Sequence, residues 1–237
     1  MNFILFANAR SGSTSLAKTL DASPDVNMSI ETFHPKYIQW YPNETDYSKS
    51  IQNGEDMIKA LDEISKKYNA MKVLKYQFPR EIYSLMLQQE NTKIINLSRK
   101  NTFDAALSSL IAQQTNIWQK DDTKEVPKLT EIPIYKIREI VESDNEDNNY
   151  YADLLDTHKP KEHIDLFYED IFSENNEENI NLITNITNFL GIRMPSLDII
   201  AQYMIPSSAS IESSKRYTEI PNWEEIEKEF REYLNEK

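Results

Sequence analysis

Arg10, Ser11, Gly12, Ser13 and Thr14 stand in one run between FILFAN and SLAKTL. Those residue types at that spacing suit one kind of chemistry, the holding of an oxyanion. FILFAN reads as a buried strand, and SLAKTL, with Leu16 and Leu20 four apart, as the opening of a helix. A tight turn between them aims successive backbone N–H groups and the positive end of the helix dipole at one point. The hydroxyls of Ser13 and Thr14 add donors there, and Arg10 adds a forked cation matched to phosphate or sulfate oxygens. Gly12 is one of only three glycines in the chain, so a steric demand for it is expected. The pattern GxxxxGK[ST] is absent, because Ala7 stands at its first glycine and Ser13 at its lysine. The plain alternative is an ordinary strand–turn–helix in which Ser13 or Thr14 merely caps.

A second run, KIINLSRKNTFDAALSSLIA, sets Arg99 and Lys100 at the end of a strand and Ser108 and Ser109 in the helix that follows. A strand-ending arginine and a serine about two turns into the next helix can converge on one anion. Arg99 to Ser108 is a nine-residue step and Lys100 to Ser108 an eight-residue step; Arg99 is the first candidate because it directly ends the strand. Solvated cations and a small packing serine are the bland reading. MSIETFHP supplies a possible proton acceptor, since Glu31 ends a weak second strand and a carboxylate there can take a proton if its pKa suits. His34 is the rival base. An exposed loop acid is the alternative for Glu31.

Strand-R-S-G-[ST]-T-x-L resembles the 5′-phosphosulfate loop of the sulfotransferases that use 3′-phosphoadenosine-5′-phosphosulfate (PAPS). The arginine form is similar to the bacterial and tyrosylprotein branches rather than to cytosolic aryl sulfotransferases, which usually carry lysine. The resemblance implies that Arg10 contacts the sulfuryl group and bridging oxygen, that Ser13 and Thr14, in the loop with Ser11 and Gly12, hold the 5′-phosphate, and that Arg99 (or Lys100) with Ser108 holds the 3′-phosphate. It supports Glu31 as base, although Ile30 stands where the family commonly has glycine. HIDLFYEDIF with ITNFLGI resembles the family's late strand–turn–helix, so Tyr168, Glu169 and Asp170 speak for the fold. ESSKRYTEIPNWEE resembles its C-terminal stretch, which brings in Lys215 and Arg216 as further nucleotide contacts. Lys75, near a strand end, is an additional candidate to face the site.

The elements that must position these residues follow from periodicity. Strands are expected at 3–8, 26–30, 71–78, 92–98 and 163–168. Helices are expected after Ser13, at 54–67, 79–89, 101–118, 178–190 and 222–235, with two more filling 132–157 and broken by ESDNEDNN. Gly191, after NFL, reads as a helix C-cap. Strands alternating with helices predict one α/β domain over 1–237, with a mostly parallel central sheet and helices on both faces; the resemblance makes it a P-loop NTPase-like sulfotransferase architecture. The aromatic loop around Phe33, Tyr37, Trp40, Tyr41 and Tyr47 is expected to pack on its own domain, with stacking on an acceptor as the alternative.

Bulk numbers bound the rest. In 237 residues, 39% hydrophobic and 27% charged residues give a globular balance. The net charge of −13 speaks against a nonspecific nucleic-acid binder. With no cysteine and three histidines, no metal site is expected. No apolar run suits a membrane span or signal peptide, so the expected compartment is the cytoplasm. Sequence thus favours PAPS as donor and PAP as product, with a small-molecule, carbohydrate or peptide acceptor. A P-loop small-molecule kinase and a non-catalytic nucleotide-binding protein of the same fold are the competing functions.

Overall fold

Five short apolar segments pair side by side, all in parallel, in the computed structural model, which describes residues 1–30, 33, 51–117, 127–159, 161–172, 175–204 and 217–235. The strands are β1 (Phe3–Ala7), β2 (Met28–Ser29), β3 (Ala70–Leu74), β4 (Lys93–Ser98) and β5 (His163–Phe167), in the order β2-β3-β1-β4-β5. Every residue of β1 and β3 is buried, as strands covered on both faces require. The helices are α1 (Ser13–Asp21), α2 (Gly54–Ser65), α3 (Arg80–Leu87), α4 (Thr102–Thr115), α5 (Ile134–His158), α6 (Tyr168–Ile171), α7 (Asn176–Leu190), α8 (Leu197–Tyr203), α9 (Trp223–Glu229) and α10 (Arg231–Asn235). No described helix is long and apolar enough to cross a membrane.

The chain forms two compact units, Met1–Ser98 with Asn149–Ile205, and Arg99–Asn148 with Pro206–Lys237. The first contains the sheet. Because side chains alternate along a strand, β1 feeds two separate cores. Ile4 and Phe6 enter one, with Met57 and Leu61 of α2, Tyr83 of α3 and Tyr151 of α5. Phe3, Leu5 and Ala7 enter the other, with Leu16 and Leu20 of α1, Ile183 of α7 and Ile200 of α8. Helices therefore cover both faces, as the alternating pattern predicts. Phe6 meets the Tyr83 and Tyr151 rings edge-on at centroid distances of 5.0 and 4.7 Å, contacts worth about 0.5–1.5 kcal/mol each beyond their buried area. Phe33 is buried and meets Phe78 edge-on at 5.3 Å, so this one aromatic of its loop packs inward.

From β1 the chain crosses by α1 to β2 on one side, and from β4 it proceeds to β5 on the other. The carboxyl ends of β1 and β4 are thus the topological switch point, where an open parallel sheet leaves its crevice. In the second unit, Phe103 of α4 stacks on Phe230 at 5.0 Å, and Ile137, Val141, Tyr217 and Ile226 complete that core. Asn222 exchanges two hydrogen bonds with the Ile132 backbone there, 3.0 and 2.9 Å long.

Three expectations change. The two helices expected over 132–157 are one, α5 (Ile134–His158); ESDNEDNN contains weak helix formers but no glycine or proline to end the turn sequence. The strand expected at 71–78 stops at Leu74, because the Gln77 side chain accepts the Leu74 N–H (2.9 Å) and its backbone N–H donates to the Leu74 carbonyl (3.2 Å). The C-terminal helix divides at Phe230 into α9 and α10.

Candidate anion-binding site

Three helices of the described chain begin with an asparagine whose side chain accepts a first-turn N–H: Asn53 from Asp56 N, Asn101 from Asp104 N and Asn175 from Glu177 N. These caps satisfy amides that no helix can satisfy internally. Helix α1 begins differently. Its N-cap is Gly12, left-handed at φ 72°, with no side-chain cap and no acidic residue in the first turn. The Ser15 and Leu16 N–H groups return to the Gly12 carbonyl at 3.0 and 3.2 Å, which leaves the Ser13 and Thr14 amides and the helix dipole for another acceptor.

The turn that leads into α1 is tightly specified. Asn8 N–H donates to the Leu97 carbonyl at 3.0 Å, tying the end of β1 to β4. The Ser11 hydroxyl, fully buried, donates back to the Asn8 carbonyl at 2.7 Å. Arg10 adopts φ 60°, a left-handed conformation uncommon outside glycine. Gly12 has a second reason to be glycine: a Cβ there would lie 2.1 Å from Cε2 of Phe172. Phe172 follows α6, and its ring packs against that of Tyr168 at 4.9 Å. The YEDIF segment, read from sequence as fold support, therefore also walls the turn. Within the contiguous run Arg10 to Thr14, Ser11 and Ser13 are buried and Arg10 and Thr14 half-buried.

Two lysines of β3 and its end complete the surroundings, one on each face of the sheet. Lys75 is 4% exposed and donates to the Ser98 hydroxyl at 2.9 Å. Its ammonium lies 5.6 and 5.8 Å from the Phe6 and Tyr151 ring centroids, and its backbone N–H donates to Ala7 O at 2.9 Å. It thus lies at the carboxyl end of β1. Lys72 was not foreseen. It is 1% exposed, on the α1 side, and donates to the Thr14 hydroxyl at 3.0 Å. Its only sequence signal is a lysine inside the otherwise apolar AMKVL, a residue rarely buried without a reason. Tyr83 pins the turn after β3, donating to Leu74 O at 2.6 Å and accepting from Phe78 N at 3.0 Å; burial pushes its phenol well above the usual range, so it stays neutral. Asn8 is a further residue missed from sequence: it is 2% exposed, and its Oδ1 has no hydrogen-bond partner among the described residues.

The second unit contains the other predicted cations. Arg99 is largely buried, with Nη2 3.8 Å from Asp104 Oδ2. Asn101 caps α4 and also donates to Tyr233 O at 3.1 Å. Ser108 is buried on α4, and Lys100 is exposed. Glu31, His34, Lys215 and Arg216 lie outside the described residues.

One group among the described residues offers three atoms suited to a metal: Asp156, His163 and Asp165, all within 4.8 Å of one another. His163 opens β5, at the amino end of the sheet and away from the turn. Its Nδ1 meets Lys159 O at 2.7 Å, and its Nε2 lies 3.3 Å from both carboxylates.

No protein-family model and no curated protein matches the chain. Among solved structures it is similar to the sulfotransferase domain from the curacin biosynthetic pathway (13% identity, 86% of this chain and 78% of that chain, TM-score 0.48). It is also similar to mouse sulfotransferase SULT7A1 complexed with PAP (17%, 89% and 66%, TM-score 0.48) and to a sulfotransferase from Alicyclobacillus acidocaldarius (15%, 97% and 95%, TM-score 0.49).

Proposed function

We propose that this chain is a sulfotransferase that moves a sulfuryl group from PAPS to an acceptor hydroxyl. The observation that carries the reading is the Arg10–Thr14 turn: two left-handed positions and a helix start without a side-chain cap, at the carboxyl end of the central strand. Its motif resemblance, and that of the Arg99–Ser108 run, support a phosphosulfate over other anions.

In this mechanism the acceptor oxygen attacks sulfur in line with the departing phosphate oxygen. A new S–O bond forms, the bridging S–O bond breaks, and its electron pair goes to the phosphate of PAP. Glu31, or His34 in its place, takes the acceptor proton. Arg10 stabilises the charge that develops on the bridging oxygen. Ser11, Gly12, Ser13 and Thr14 seat the 5′-phosphate. Arg99 or Lys100, with Ser108, takes the 3′-phosphate, aided by Lys215 and Arg216. Catalysis is chiefly positioning and charge stabilisation, as in phosphoryl transfer. The acceptor belongs to the small-molecule, carbohydrate or peptide hydroxyls.

The test is a calorimetric titration with PAP, followed by turnover of labelled PAPS against a panel of phenol, sugar and tyrosyl-peptide acceptors. Micromolar PAP binding with labelled product supports the reading. Binding of ATP only with Mg²⁺, and none of PAP, would replace it with a kinase. PAP binding with no product from any acceptor would leave a non-catalytic nucleotide-binding protein.

A further inference from the structure

We infer that Asp156, His163 and Asp165 form a Zn²⁺ site that clamps the last turn of α5 to the edge strand β5. It lies at the amino end of the sheet and stands independently of the anion-binding turn.

The fold brings the three side chains together. His163 and Asp165 are two apart on β5 and so share one face. Their partners across β4 are Ile94 and Asn96. Ile94 enters the same core as Tyr151 and Leu155 of α5, so this face of β5 meets α5, and Asp156 directly follows Leu155. Spacing alone predicts no such site, because its atoms come from a helix end and a strand.

His163 is oriented as a ligand. Its side chain is 6% exposed, and its Nδ1 meets the Lys159 carbonyl at 2.7 Å. A carbonyl only accepts, so Nδ1 carries the ring hydrogen and the neutral ring turns the Nε2 lone pair toward the carboxylates. Nε2 lies 3.3 Å from Asp156 Oδ1 and 3.3 Å from Asp165 Oδ2. That is longer than the roughly 2.7–2.9 Å of a charge-assisted N–H···O bond. It matches the edge, about 3.3–3.4 Å, of a tetrahedron whose metal–ligand bonds are about 2.0–2.1 Å. All three ligand atoms lie within 4.8 Å of one another.

Asn96 supplies a second, independent observation. Its Nδ2 donates to Asp165 Oδ1 at 2.6 Å, which leaves Oδ2 for the ion, the support that ligating carboxylates usually receive. Asn96 is 3% exposed, and its Oδ1 has no hydrogen-bond partner among the described residues. The reverse amide orientation would set oxygen against carboxylate. This buried acceptor therefore stands beside the site, where a water on the ion can donate to it. Neither aspartate has a lysine or arginine partner among the described residues. The Lys159 ammonium goes instead to the Gln89 and Thr92 carbonyls and to Glu162. One imidazole nitrogen and two carboxylate oxygens, with a water as fourth ligand, suit Zn²⁺ and not Mg²⁺.

The chelator-treated chain is titrated with Zn²⁺ by calorimetry and melted with and without it, beside Asp156→Asn, His163→Gln and His158→Gln. One equivalent of Zn²⁺ is expected to bind in the presence of millimolar Mg²⁺ and to raise the unfolding midpoint. Asp156→Asn and His163→Gln should each weaken binding at least tenfold and remove that rise. His158→Gln, a neighbour outside the cluster, should cost less than twofold. No binding at submillimolar Zn²⁺, the result if His163 is simply an imidazolium paired with two carboxylates, overturns the proposal. So does binding that survives Asp156→Asn and His163→Gln, or that is lost with His158→Gln alone. If His163→Gln does not fold, Asp156→Asn at its exposed carboxylate decides, and a loss below twofold there overturns it.

Discussion

Removing Arg10 and removing Arg99 are expected to fail in different ways. A guanidinium that meets charge only as it develops is felt in turnover, and one that meets a standing charge is felt in binding. Arg10→Ala should lower kcat about a hundredfold or more with a much smaller change in PAP affinity. Glu31→Ala should cost kcat about a hundredfold; a near wild-type rate would move the base to His34. Arg99→Ala should instead weaken PAP about tenfold, the scale of one charge-assisted hydrogen bond. Steady-state kinetics and calorimetry separate these outcomes. At this scale the sequence displayed the turn in full, since Arg10 to Thr14 are contiguous. It did not display Lys72 as a partner of Thr14, because fifty-eight positions separate them and strand order, which no local pattern encodes, brings them together. The place of Lys75 near a strand end was legible, since it directly follows β3.

Among elements, the junction of β1 and α1 is held by a contact from far along the chain. Gly12→Ala must place a side chain at φ 72°, which costs about 1–2 kcal/mol, and must also displace the Phe172 ring. Gly191→Ala meets the same backbone cost at φ 73° with nothing within 4 Å of the added carbon. Urea unfolding should therefore show the larger loss for Gly12→Ala, and Phe172→Ala should cost less in the Gly12→Ala background than in wild type. The strands and most helices were readable from apolar periodicity, with bounds shifted by a few residues. α5 was misread because ESDNEDNN looks like a break, whereas its polar residues mostly fill the outer face of a helix anchored by Ile137, Val141, Tyr151 and Leu155. The end of β3 was misread because YQF looks extended, while the Gln77 side chain takes the Leu74 amide and stops the ladder.

For the whole molecule, an exposed clasp among the described residues carries a pH dependence. Arg193 holds Asp25 through its side chain and its backbone N–H, at 2.6–3.0 Å, and lowers the carboxyl from 3.8 to about 2. A lowered native pKa stabilises at pH above the unfolded value and is lost as pH falls toward the native one. Arg193→Ala should therefore be less stable than wild type at neutral pH. The gap should shrink below about pH 4, vanish only below about pH 2 and narrow in high salt, because the pair is solvent-exposed. Denaturant titrations at several pH values check this. The ring of Phe172 against Gly12 has one more consequence, for the order in which the protein is born. The 10–14 turn is synthesised well before the ring that walls it, because 160 positions separate Gly12 from Phe172. At about 5–20 residues per second the nascent turn waits on the order of ten seconds for that ring, so its final shape is set late.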